Sequence, residues 1–171
     1  MTGTEDCLNL AVFTPATTAS HHRHLLPVIV FIHGGGFTRG SYTSLGPQYI
    51  LDQDVVLVMI HYRLSGLGFL CLNTAQSRSN LGLLDQVLAL RWVQSHIRHF
   101  GGDPGQVTLV GESAGAASVS YLMSSLVGRG LFSRAVVMSG SSTAQGRIHQ
   151  YSSLLCECQD LSGIITNFDQ G

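Results

Sequence analysis

"QVTLVGESAGAASVSYLMSSLV", residues 106–127, changes its periodicity at a single serine. Apolar and β-branched residues fill 107–110, which describes a strand over 106–112, and small and apolar residues then recur at helical spacing over 114–127. Gly111 and Gly115 stand two positions either side of Ser113. In a bend this sharp the flanking positions cannot carry side chains without collision, so Gly-x-Ser-x-Gly between strand and helix describes an elbow that lifts a hydroxyl above the edge of a sheet. The following helix then points its first N–H groups at any oxygen beside that hydroxyl. Neighbouring positions on an elbow point apart, so Glu112 cannot orient a base for Ser113 and is expected to be a buried acid paired with backbone or a basic side chain.

Working outward, "PVIVFIH" (27–33) and "VVLVMIH" (55–61) are runs too apolar to have a wet face, and "LNLAVF" (8–13) is a shorter strand. A short helix is expected around Leu45–Gln53. A longer one starts after Asn80 as N-cap, carries Leu84, Val87, Leu88, Arg91 and Trp92 at helical spacing, and ends at Gly101–Gly102. "RAVVMSG" (134–140) is a further strand. The alternation predicts an α/β fold with a mostly parallel sheet and flanking helices. After Ser142 the rhythm is lost, so residues 1–142 form one unit and 143–171 a divergent tail.

The glycines of "HGGGF" (33–37) leave a buried strand and let the backbone approach a ligand with its N–H groups forward. Alone this would be a flexible turn. Paired with an elbow later in the chain it is the combination used by lipases and esterases.

The chain has 171 residues, 44% hydrophobic and 11% charged, with nine Lys+Arg against ten Asp+Glu. No basic run would gather nucleic acid or anionic lipid. "LLPVIVFI" and "VVLVMI" fall short of the roughly 20 residues that cross a bilayer. "MTGTEDCLNL" has no cationic leader and no apolar core, so it is not read as a secretory signal and leaves the compartment open. Cys7, Cys71, Cys156 and Cys158 fit no zinc spacing, and no metal or other cofactor is expected. "HHRH" (His21, His22, His24) could bind a metal, but it sits in a polar turn between strands without an added acid or cysteine and is not read as a metal site.

Six blocks, "EDCLNLAVF", "HGGGFTRGS", "VVLVMIHYRLSGLGFL", "NLGLLDQVLALRWVQSHIRHFGGDP", "VTLVGESAGAASVS" and "GLFSRAVVMSGSS", resemble in order the N-terminal part of a type-B carboxylesterase of the cholinesterase family, from Glu5 to Ser142. The resemblance implies an α/β-hydrolase fold, incomplete on its C-terminal side, and a serine esterase working on small-molecule esters through an acyl-enzyme. Ser113 would be the nucleophile, with the N–H groups of Gly35, Gly36 and Ala114 forming the oxyanion hole. The family is often secreted and also includes adhesion proteins without catalysis. Those usually lose the nucleophile or the glycine donors, whereas Ser113 and Gly34–Gly36 are intact. The resemblance further implies that Cys7 pairs with a cysteine preceding this chain, and that His61 replaces an asparagine.

The fold orders its triad as serine, acid, histidine. Beyond Ser113 the one histidine, His149, precedes the acids Glu157, Asp160 and Asp169. The order is reversed, so this stretch holds no usable acid and base, and the chain is expected to be a truncated form. His33 is expected to support the glycine loop rather than act as base, because it precedes the donors so closely. Asp85 and Arg91 are read as making a structural pairing rather than catalysing, and Tyr62, Phe69 and Trp92 as packing.

Overall fold

The computed structural model describes residues 4–15, 24–44, 46–70 and 80–142. Five strands form one sheet: β1 (Leu10–Phe13), β2 (Leu26–Ile32), β3 (Val56–Ile60), β4 (Gly102–Glu112) and β5 (Arg134–Met138). Their order is β1-β3-β2-β4-β5. β1 runs antiparallel to β3, and every other pairing is parallel. Three helices accompany them, α1 (Ser65–Phe69), α2 (Leu81–His96) and α3 (Ala114–Ser124).

Unbroken apolar runs make central strands here because both faces of the sheet are covered. Val28, Val30, Ile32, Val56, Val58, Ile60, Val107 and Leu109 point to one face and pack against Leu83, Val87, Leu90 and Val93 of α2 and Val119 and Leu122 of α3. The alternate residues Phe31, Leu57 and Met59 point the other way, where Tyr42 and Leu51 from the β2–β3 connection lie over them. Burying a side chain of this size contributes about 1.5–3 kcal/mol, so this two-sided core stabilises the fold that positions the loops.

The order of strands matters for function. The chain passes from β2 to β3 on one side, then returns to place β4 on the other side of β2. Connections therefore leave the carboxyl ends of β2 and β4 in opposite directions, and ligands of open α/β sheets bind in the crevice such a reversal opens. Ile32 pairs with Gly111 across β2 and β4, which sets the residues after each strand side by side.

Several boundaries differ from those expected. The described part of the helix expected at Leu45–Gln53, residues 46–53, is not helical: Tyr42–Ser44 is a 3-10 turn, and Ile50 and Leu51 both donate to the Pro47 carbonyl at 3.1 and 3.0 Å in one turn that does not propagate. A single turn fixes several dihedrals for few hydrogen bonds, and Gly46 and Pro47 at its start add no helical preference. Asn80 does occupy the N-cap of α2, but with left-handed backbone (φ 57, ψ 35) its side chain makes no cap bond, and its carbonyl accepts from Leu83 and Leu84 instead. α3 stops at Ser124 rather than running to 127, because Ser125 turns extended and its side chain caps a 3-10 turn at Leu126–Gly128. β4 begins at Gly102, with an irregular register against Leu26 and Val28. α1, whose sequence SGLGF hides its helical signal behind two glycines, was not expected at all.

Candidate functional site

Ser113 sits between β4 and α3 with φ 54 and ψ −115, a conformation that a residue with a side chain rarely adopts. Its neighbours explain why it persists. A Cβ on Gly111 would collide with the Gly115 carbonyl and stand 2.7 Å from the Ala116 nitrogen. A Cβ on Gly115 would collide with the Ile32 carbonyl and stand 2.9 Å from that of His33. The two glycines thus let α3 start directly against the ends of β4 and β2. The Ser113 N–H donates to Met138 at 2.8 Å, and its carbonyl accepts from Ala117 at 3.0 Å, so the strained residue is held from both sides. Gly140, whose Cβ would collide with the Ser113 carbonyl, closes the turn from the β5 side.

The glycine loop reaches the same place from β2. A Cβ on Gly34 would lie 3.1 Å from the Ser113 Cβ and 2.5 Å from the Glu112 Oε2, which puts this loop directly on the elbow. Gly35 (φ 111) and Gly36 (φ 65) take left-handed backbone, and Thr38 and Arg39 both donate to the Gly35 carbonyl at 3.2 Å to close the loop. Ala114 is buried at the first position of α3. Ser113, Gly35, Gly36 and Ala114 thus belong to two segments in contact. Glu112 is exposed, not the buried acid expected, because it is the last residue of β4 and its side chain leaves the sheet there, with its carboxylate where a Cβ on Gly34 would stand.

His33 supports the loop from within. It is buried, and its Nδ1 lies 2.8 Å from the Gly34 carbonyl, which can only accept, so Nδ1 carries the proton. Its Nε2 is buried with no partner among the described residues. Burial therefore holds the imidazole below its ordinary value of 6.5, against the opposing pull of the Gly34 carbonyl. Tyr62 stacks on the ring at 4.6 Å and donates to the His33 carbonyl at 2.9 Å. Burial pushes the Tyr62 hydroxyl well above the usual phenol range, so it stays a donor. His61 bridges from β3 to Asn9 through Nδ1 and to Ser41 through Nε2, both at 3.0 Å, so the imidazole at this position ties the first strand's approach to the β2–β3 connection. It too is held below 6.5, by burial first and by the neighbouring His33 second.

Beneath this site lie two polar links that sequence reasoning did not find. Arg63 embraces Asp85 through Nε (2.8 Å) and Nη2 (2.7 Å) and adds its backbone N–H at 3.0 Å, fixing the β3–α1 connection to α2. The Gln86 Nε2 donates to Ser118 at 3.1 Å. The signal available was a pair of polar residues, Asp85 and Gln86, inside an otherwise Leu- and Val-rich helix face. Tyr62 and Phe69 are core residues and Trp92 packs against that core, as expected. Cys7 is half-buried and forms no disulfide among the described residues. Cys71, Cys156, Cys158, His21, His22, and the tail with His149, Glu157, Asp160 and Asp169 lie outside them. Among the described residues no cluster of His, Cys, Asp or Glu could hold a metal, and no helix is long and apolar enough to cross a membrane.

Comparison with known proteins places this geometry. Residues 1–163 match the model of the carboxylesterase family, a match that runs past Ser142. A juvenile hormone esterase of Tribolium castaneum is 49% identical over 141 residues, 81% of this chain and 24% of that protein. Carboxylesterase 1F of Mus musculus is 50% identical over 137 residues, 80% of this chain and 24% of the relative. In three dimensions the chain superposes on the crystal structure of the juvenile hormone esterase from Manduca sexta with a TM-score of 0.76 and 43% identity, covering 81% of this chain and 26% of that one. The chain thus spans about a quarter of the length of the curated relatives it matches. With an α/β-hydrolase sheet, a serine elbow and a glycine loop packed on it, and with identities near one half, this chain belongs to the carboxylesterase family.

Proposed function

We propose that this chain carries the nucleophile and the oxyanion cradle of a carboxylic ester hydrolase acting on small-molecule esters. The observation that carries the reading is the contact of Gly34 with Ser113, which brings motifs from two different strands to one point. In this reading the Ser113 hydroxyl attacks the ester carbonyl carbon and gives its proton to a general base. The carbonyl electron pair moves onto oxygen, where the N–H groups of Gly35, Gly36 and Ala114 receive the charge. Collapse expels the alcohol and leaves an acyl-serine, which water cleaves to the acid. The intact serine and glycine loop favour this over a purely adhesive role.

No described histidine is assigned as base: the His33 Nδ1 is committed to Gly34, and its ring is stacked on Tyr62. The reversed order of His149, Glu157, Asp160 and Asp169 leads us to assign the base and its acid to sequence beyond the quarter of the family that this chain spans. By this account the 171-residue chain is nearly inert. Loss of triad members lowers turnover about a million-fold, and the oxyanion hole and binding retain about a thousand-fold over water.

A fluorophosphonate, followed by intact-mass and peptide mass spectrometry, tests this. The chain is expected to take label slowly, at Ser113 alone, with Ser113→Ala abolishing the adduct and added imidazole accelerating it by standing in for the base. Label spread over several serines, or rapid stoichiometric labelling without imidazole, would contradict the reading.

A further inference from the structure

We infer that Gln86, in the middle of α2, is a positioning residue for the elbow, acting through Ser118 on the first turn of α3. Gln86 is 0% exposed. Its amide nitrogen donates to the Ser118 Oγ at 3.1 Å, and that hydroxyl in turn donates to the Ala114 carbonyl at 3.1 Å. The direction of both bonds follows from chemistry. A carbonyl only accepts, so the Ser118 proton must point to Ala114, and the hydroxyl oxygen must then accept from the only donor of the Gln86 side chain, its NH2. The chain of bonds therefore ends on the residue that follows Ser113 and that carries one of the oxyanion N–H groups in the proposed mechanism.

The other end of the same amide argues that stability is not its purpose. The Gln86 Oε1 is buried without a hydrogen-bond partner among the described residues. An unpaired buried acceptor destabilises a fold, and an apolar side chain of the same shape would avoid that penalty on a helix face otherwise built from Leu83, Val87 and Leu90. A half-satisfied amide at this point is the signature of a local rule broken for a site nearby. What it secures is the angle of the first turn of α3, on which the left-handed Ser113 depends through the bond from the Ala117 N–H to the Ser113 carbonyl, 3.0 Å. Ser113 alone, with no side-chain cap of its own on α3, lacks that restraint.

The catalytic meaning of this role rests on the reading of Ser113 as nucleophile, and the test separates the two. In the 171-residue chain, Gln86→Met keeps the side-chain length and removes the donor, and Ser118→Ala removes the relay. Amide hydrogen exchange, resolved by residue, reads the elbow without any chemistry at Ser113. Both variants are expected to exchange the Ala117 amide about tenfold faster while the amides of β2 and β3 are unchanged. Melting temperatures should be no lower than the parent's, and the double variant no worse than either single one. Fluorophosphonate labelling of Ser113 should slow about tenfold in parallel. Unchanged exchange at Ala117 overturns the inference, as does a fall in melting temperature with faster exchange throughout, since Gln86 would then be merely structural. If Ala117 responds but the parent takes no label at Ser113 even with added imidazole, the positioning role stands and the esterase reading falls.

Discussion

β2 and β5 have much the same chemistry, LPVIVFI against RAVVM, and opposite fates. β2 has a parallel neighbour on each side, and Val28, Val30 and Ile32 are wholly buried. Among the described residues β5 pairs only with β4, and its Val136, Val137 and Met138 remain 43%, 40% and 40% exposed. An apolar, β-branched run states that a segment will be a strand. Whether it is a sheet's centre or its edge is decided by how many partners reach it. The difference also divides the site: from the β2 end Gly34 packs directly on Glu112 and Ser113, while the β5 side holds the elbow through the Met138 carbonyl and Gly140. An exposed apolar edge with unpaired backbone groups is also a template for association.

The contrast predicts effects that shrink from centre to edge. Gly115→Ala should have the largest, since its methyl would meet the Ile32 and His33 carbonyls, backbone atoms that cannot swing aside. We expect a loss of about 3–5 kcal/mol in urea unfolding, and a loss below about 1 kcal/mol would mean that α3 does not rest on β2. An intermediate effect comes from acid. His33 and His61 are both held below 6.5 by burial, so the unfolded chain binds more protons than the native one. Their contribution to stability is complete above about pH 6.5 and is lost as the pH falls below that value toward their native ones. The unfolding midpoint should therefore fall between pH 6.5 and 5, and His33→Gln should flatten that dependence. A midpoint independent of pH in this window would contradict the buried, neutral imidazoles. The smallest effect is expected at the edge, where Val137→Lys should change stability by no more than about 0.5 kcal/mol. The same change should lower light scattering on concentration, and undiminished scattering would show that β5 is not the surface through which the chain associates.

Much of this was legible beforehand because it concerns steric demands made over a few residues. The strand, bend and helix about Ser113, the need for glycine at positions 111 and 115, and the strands 27–33 and 55–61 all follow from local pattern. The expected helix at Leu45–Gln53 failed because one turn after Gly46 and Pro47 does not propagate, and α1 was missed because its glycines carry no periodic signal. Glu112 was expected to be buried, whereas it ends β4 and its side chain leaves the sheet beside Gly34.

By itself, then, the amino-acid sequence determined the elbow, the alternation of elements and the family, since each is written in consecutive residues. Only the tertiary structure decided that the loop after β2 lies on the serine after β4, that Arg63 takes Asp85, and that Gln86 reaches Ala114 through Ser118. Those are meetings between segments far apart in the chain, and they depend on the order of the strands, a property that no single segment possesses.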